Sequence, residues 1–186
     1  MLKEPFLFSH RGIQMIDLKA HIRSVPDFPK KGILFYDIGT LLAHGPAWAE
    51  TVTRMADKLA ESRPDVLLGI ESRGFLVGAA VAARLGIGFG MIRKKGKLPG
   101  TTIAQEYALE YGTDVLEMQQ GVLEQGKKAV LVDDLLATGG TANAAISLAA
   151  KNGVTVTQAA FIIELTFLNG RAKLPCPAVS LLSYDQ

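Results

Sequence analysis

Two adjacent carboxylates, Asp133 and Asp134, end a short apolar run, Ala129 to Val132, and stand just ahead of Ala137, Thr138, Gly139, Gly140 and Thr141. Neighbouring carboxylates repel unless a ligand or cation uses them. The small residues after them let a backbone close tightly around a ligand. A helical pattern follows over 142–152, with Gly153 as its natural stop. Strand, acidic pair, tight loop and helix, in that order, gather backbone N–H groups and a helix N-terminus around one anion. The two carboxylates beside it suit sugar hydroxyls or a hydrated metal. Neither common phosphate fingerprint is present: no Lys follows Gly140, and the G-x-G-x-x-G spacing is absent.

A second turn of the same kind lies upstream. The apolar run 66–70 is followed by Glu71, Ser72, Arg73 and Gly74, then by an alanine-rich helical stretch over 75–85 closed by Gly86. Arg73 supplies a guanidinium, which pairs with phosphate oxygens two bonds at a time. Farther on, Arg93, Lys94, Lys95 and Lys97 crowd a Pro-Gly-containing stretch with little to bury, read as a mobile loop.

The elements that must carry these turns follow from periodicity. Residues 15–25 carry apolar Ile16, Leu18, Ile22 and Val25, consistent with a short amphipathic helix, ended by the prolines at 26 and 29. Residues 31–38 suit an edge strand or a structured loop. Trp48, Val52, Met55 and Leu59 mark a helix over 46–63. Strands are expected over 66–70, 87–92, 105–111, 129–132, 154–165 and 179–182. Between the third and fourth, Asp114 and Glu117 have capping-box spacing and predict a helix. Strands alternating with helices give an α/β fold with a mostly parallel sheet flanked by helices. Ligands of such sheets lie at the carboxyl ends of the strands, where both turns belong.

The chain has 186 residues, a formal charge of +2 and one cysteine, Cys176. That suits a single domain over 15–186 behind an N-terminal extension over 1–14. The mild charge argues against nucleic acid as a partner. A lone cysteine cannot build a disulfide framework and fits a reducing, cytoplasmic setting. No apolar run approaches the ~20 residues of a membrane span.

The stretch 129–141 resembles the phosphoribosyl pyrophosphate motif of the type I phosphoribosyltransferases. Six further stretches, taken with it, resemble the adenine-specific members: 26–29 (PDFP), 32–38 (GILFYDI), 71–75 (ESRGF), 92–100 (IRKKGKLPG), 109–112 (LEYG) and 164–166 (ELT). The basic loop together with Leu109-Glu110-Tyr111-Gly112 is the most specific part. The resemblance implies a small hood, from about 15–40 plus the C-terminal region, and a flexible flap hairpin with a mobile loop over about 93–112. It implies transfer of phosphoribosyl from phosphoribosyl pyrophosphate to adenine, giving AMP and pyrophosphate, with Mg2+, in a homodimer.

By the same resemblance, Asp133, Asp134, Ala137, Thr138, Gly139, Gly140 and Thr141 hold the phosphoribosyl group and its 5′-phosphate. Ser72, Arg73, Gly74, Arg93, Lys94 and Lys97 take the pyrophosphate. Leu34, Phe35, Tyr36 and Leu165 hold adenine, and Glu110, with Arg73, is catalytic. Asp133 and Asp134 meet the metal, directly or through water. A cis peptide at Glu71–Ser72 is also implied. Two positions depart from the usual pattern: Tyr36 stands where many members carry Arg, and Glu71 where many carry Asp. Two rival functions use the same residues. One is transfer to another purine base; the other is a non-catalytic regulator that senses phosphoribosyl pyrophosphate.

Overall fold

The computed structural model describes residues 16–108 and 112–186. The 1–14 extension and Glu110 lie outside them. A seven-stranded sheet organises the chain, in the order β5-β6-β4-β3-β7-β8-β9. Its strands are β3 (Val66–Ile70), β4 (Gly88–Lys94), β5 (Thr102–Ala108), β6 (Thr113–Gln119), β7 (Lys128–Leu136), β8 (Thr155–Leu165) and β9 (Ala178–Tyr184). From β4 to β9 through β3, β7 and β8 the pairing is parallel; β5 and β6 add an antiparallel hairpin at one edge.

The expected strands at 66–70, 87–92, 129–132, 154–165 and 179–182 are all present, shifted or lengthened by a few residues. β7 runs on through the acidic pair. The sheet buries both faces because successive side chains of each strand point to opposite sides. Val66, Leu68, Ile70 and Leu131 pack toward α4 (Gly140–Lys151), while Leu67, Val130 and Val132 pack toward α2 (Gly45–Ala60) and α3 (Arg73–Leu85). Met55 and Leu59 carry the buried face of α2. Gly86 ends α3 in the left-handed conformation, φ 69°, which glycine adopts without steric cost.

A separate two-stranded sheet, β1 (Arg23–Pro26) with β2 (Leu34–Asp37), forms the hood. It is pinned to the C-terminal end: the Tyr36 hydroxyl donates to the Gln186 carbonyl at 3.0 Å, and the Tyr36 and Tyr184 rings lie 3.9 Å apart. Arg23 pairs with Asp37 at 2.5 Å, and Asp37 also accepts from the Gly39 N–H at the start of α1 (Gly39–Ala43).

Three expectations need correction. The 15–25 stretch is not a helix: a single 3-10 turn at Lys19–His21 leads into β1, because pairing with β2 claims Arg23 to Pro26. No helix is capped at Thr113 or Asp114; these residues open β6, which pairs along its whole length with β5. The Asp114 carboxylate accepts the Val115 N–H rather than capping a helix. Arg93 and Lys94 belong to β4 rather than to a loop.

Glycine makes one close approach possible at the centre of the sheet. A Cβ on Gly69 would lie 2.6 Å from the Phe89 ring and 2.8 Å from the Gly74 carbonyl oxygen. The helix α3 therefore sits directly on β3. Gly69→Ala should lower stability by about 1–3 kcal/mol, the usual cost of overpacking a core, read as a lower urea midpoint with an unchanged slope. An unchanged midpoint would show that the strand and helix have room between them.

Candidate active site

Two residues, Glu71 and Ser72, separate β3 from α3, and three, Ala137 to Gly139, separate β7 from α4. Since β3 and β7 are parallel neighbours, with Leu68 opposite Leu131 and Gly69 opposite Val132, both following turns open onto the same edge of the sheet. They line one cleft of about 310 Å³. Its walls are Glu71, Ser72 and Arg73 on one side and Asp133 to Ala142 on the other, with Ile70 and Phe161 at the floor.

At the acidic side, Gly139 takes φ +79° as the N-cap of α4, so the first N–H groups of that helix have no carbonyl partner within it. Tight glycine geometry and a twelve-residue helix thus aim donors and a positive dipole end at the loop. The Asp133 carboxylate accepts the Asp134 N–H at 2.9 Å. Burial, and next the charge of Asp134, push the Asp133 carboxyl well above the usual carboxylate range. Asp134 is buried and receives the Arg73 Nε at 2.5 Å.

At the other side, Glu71–Ser72 is a cis peptide, as the resemblance implies. Gly74 does not line the cleft. It packs beneath it, where a Cβ would come within 2.8 Å of the Val132 carbonyl oxygen and 2.9 Å of the Asp133 carboxylate. Glu71 holds the basic turn in place. Arg93 donates to both its oxygens, at 2.9 and 3.2 Å, the Lys94 N–H to one of them at 3.2 Å, and Lys97 Nζ lies 3.9 Å away. The Arg93 bonds are the main cause holding the Glu71 carboxyl below its ordinary value. Arg93 and Lys97 therefore rest one carboxylate away from the cleft. Lys94 instead turns to the hairpin and pairs with Asp114 at 3.2 Å. Glu117, buried, accepts the Gly96 N–H at 2.9 Å and fixes the turn from behind.

A second cavity of about 200 Å³ adjoins the first. Ile33, Leu34, Phe35, Tyr36, Leu165 and Leu168 supply its apolar lining, and Arg73, Asp134, Leu135 and Ala137 form the wall shared with the cleft. Arg73 lies over the Phe35 ring, 5.5 Å from its centre, so one guanidinium borders both spaces. Its largely apolar lining suits an aromatic ligand. All four residues expected to hold a base, Leu34, Phe35, Tyr36 and Leu165, line it. The Tyr36 hydroxyl is spent on Gln186 in the hood.

Strand β5 brings the hairpin to the phosphate-type loop. Tyr107 lies beside Thr141 and donates to Asp114 at 3.4 Å. The Ala108 carbonyl lies 3.9 Å from where a Cβ on Gly140 would sit. The end of β5 thus lies beside the Gly140 turn. Sequence reasoning missed Glu71 and Glu117 as anchors of the basic turn, and Leu168 as part of the slot. Only the charge of the two glutamates near Arg93 could have hinted at the first pair.

Residues 40–173 match the phosphoribosyl transferase domain model. The chain is 61% identical over 170 residues to adenine phosphoribosyltransferase of Rhodospirillum rubrum, covering 91% of this chain and 99% of that one. This chain belongs to the adenine phosphoribosyltransferase family. The adenine phosphoribosyltransferase structure from Thermoanaerobacter pseudethanolicus superimposes with a TM-score of 0.87 at 46% identity, covering 90% of this chain and 98% of that one. The Saccharomyces cerevisiae enzyme, solved with an imino-altritol bisphosphate and adenine, gives 0.84 at 37% identity, covering 89% and 96%. The family's type I fold is the α/β fold described above.

The raised Asp133 pKa has a stability consequence. The native protein holds that proton to higher pH than the unfolded chain does, so ligand-free stability falls as pH rises from the ordinary carboxylate range through the native value. Asp133→Asn keeps the acceptor for the Asp134 N–H and removes the charge. Its ligand-free melting temperature should exceed the parent's by roughly 2–4 °C at pH 8, as about 1 kcal/mol gives in a domain of this size, with the gap closing toward pH 4. A gap independent of pH would rule out the charge as its source.

Proposed function

We propose that the chain makes AMP from adenine and phosphoribosyl pyrophosphate, releasing pyrophosphate, as a purine salvage enzyme. The observation that carries this is the shared wall: a cleft with two anion-type turns and an apolar slot meet at Arg73 and Asp134. In this reading the loop Ala137 to Thr141 holds the 5′-phosphate through backbone N–H groups. Asp133 and Asp134 orient the ribose by accepting its hydroxyls. Ser72 and Arg73 meet the pyrophosphate, and the basic turn that carries Lys97, held at its base by Arg93, closes over it.

Adenine enters between Phe35 and Leu165, with backbone groups near Leu34 and Tyr36 reading its 6-amino edge. The bond from N9 to the anomeric carbon forms as the bond from that carbon to pyrophosphate breaks, and the leaving group keeps the electron pair. Positive charge grows on the purine meanwhile. Glu110, set near N7, takes up that charge or the proton that carries it. Closing the basic turn keeps water from the same carbon.

Among the described residues no cluster of three or more His, Cys, Asp and Glu could cage a metal. Such a site fits Mg2+, which retains waters and rides on substrate phosphates rather than needing a protein cage. When bound it would neutralise the departing pyrophosphate, with Asp133 and Asp134 meeting its waters. The reading includes a cytoplasmic homodimer, as the resemblance implies. Among the described residues no helix is long and apolar enough to cross a membrane.

Incubation with phosphoribosyl pyrophosphate, with and without Mg2+, and with adenine, hypoxanthine, guanine and xanthine in parallel, tests this directly. AMP from adenine in the presence of Mg2+ is expected, with little nucleotide from the other bases. No AMP, or faster formation of another nucleotide, would contradict it. Glu110→Ala should lower kcat roughly 10²-fold, in the range for a lost acid–base group, with the protein still folded. Sedimentation at twice the chain mass is the matching result for the dimer.

A further inference from the structure

The phosphate-type loop has a back wall that is itself tied down. A Cβ on Gly139 would overlap the Gly170 carbonyl oxygen and come within 3.1 Å of its carbonyl carbon. A Cβ on Gly170 would overlap the Ala137 carbonyl oxygen and come within 2.9 Å of the Gly139 nitrogen. Two glycine backbones therefore lie face to face, one on the loop and one at the buried middle of the 166–173 segment. That segment is held at both sides. Thr166 donates to the Tyr184 carbonyl at 3.1 Å and to Asp185 at 2.6 Å. Arg171 donates to both oxygens of Glu164, the last of these through a very short contact, and to the Ala178 carbonyl; Ser180 donates to Glu164 as well. Glu164 is buried, and the Arg171 bonds are the first cause holding its carboxyl below the ordinary value. Asn169, in the left-handed conformation at φ 49°, turns the chain so that Gly170 faces inward.

We propose that Gly170 is a positioning residue, and that the Glu164–Arg171 clamp presses its backbone against Ala137 and Gly139 to set the curvature of the loop. A cradle of N–H donors works only if the loop holds its shape before the phosphate arrives, since a displacement of about 1 Å in a binding group can cost up to 10²-fold. The brace supplies that shape from outside the loop, at no point touching the ligand. This rests on the proposal that residues 137–141 take the 5′-phosphate.

Two measurements separate the two claims. Titration calorimetry of ribose 5-phosphate into the parent protein tests the loop's ligand; absence of binding would remove the underlying reading. Steady-state kinetics of Gly170→Ala tests the brace. The KM for phosphoribosyl pyrophosphate and the Kd for ribose 5-phosphate should both rise at least tenfold, and the KM for adenine at saturating donor should rise several-fold less, because only Leu168 and Ala137 of the slot's walls lie on or against the braced segment. Unchanged donor KM, or equal rises for donor and adenine, would overturn the brace. Arg171→Met, which loosens the clamp and leaves both glycines, decides the matter if Gly170→Ala does not fold. A donor KM raised roughly threefold or more supports the inference, by the same displacement argument, and an unchanged one overturns it.

Discussion

The parallel pairing of β3 with β7 is the constraint on which the site depends. Each strand delivers a turn and a helix N-terminus to the same edge, and the register fixes how far apart those turns stand. Helix α3 can sit this close to the paired strands because it has no side chain at Gly74, where it crosses the Val132 carbonyl and the Asp133 carboxylate, and β3 has none at Gly69, beneath the Gly74 carbonyl. Larger residues at either position would lift the helix and carry Ser72 and Arg73 away from the acidic pair. The cleft is thus a consequence of packing in the centre of the sheet, and the chemistry at its rim inherits that geometry.

The residues at the rim are arranged against the interest of the empty fold. Asp133 is held where burial and Asp134 disfavour its charge. Arg73 is shared between Asp134 and the face of Phe35, and Arg93 is spent on Glu71. Each of these groups has an internal partner that a polyanion with a ribose could replace. A core optimised for stability alone would contain neither the acidic pair nor the half-buried arginines, which is the usual mark of a functional site. The carboxylates of Asp134 and Glu71 hold Arg73 and Arg93 at the rim of the cleft.

Much of this was legible in the sequence because the central elements are written locally. The buried strands at 66–70 and 129–132 are short apolar runs, the helix over 75–85 ends at a glycine with positive φ, and the two turns sit between them. The failures occurred where distant pairing overrides a local pattern. Asp114 and Glu117 have the spacing of a helix cap, yet every residue of β6 finds a partner on β5. Leu18, Ile22 and Val25 have helical spacing, yet the hood's other strand claims Arg23 to Pro26. The roles of Glu71, Glu117 and Gly170 had no local signature at all. A carboxylate that anchors a turn more than twenty residues away, or a glycine that faces another across the fold, is specified only by the finished topology.

The proposed function requires one donor to be gripped at both ends at once. Titration calorimetry with phosphoribosyl pyrophosphate, ribose 5-phosphate and inorganic pyrophosphate, all with Mg2+, measures this directly. When two anchors are joined in one ligand and the cleft matches their spacing, the second contact forms intramolecularly, and the donor should bind on the order of 10²-fold or more tighter than the better fragment. A donor that binds no more tightly than ribose 5-phosphate or pyrophosphate alone would mean that the two turns do not hold the same molecule, and the account would fail.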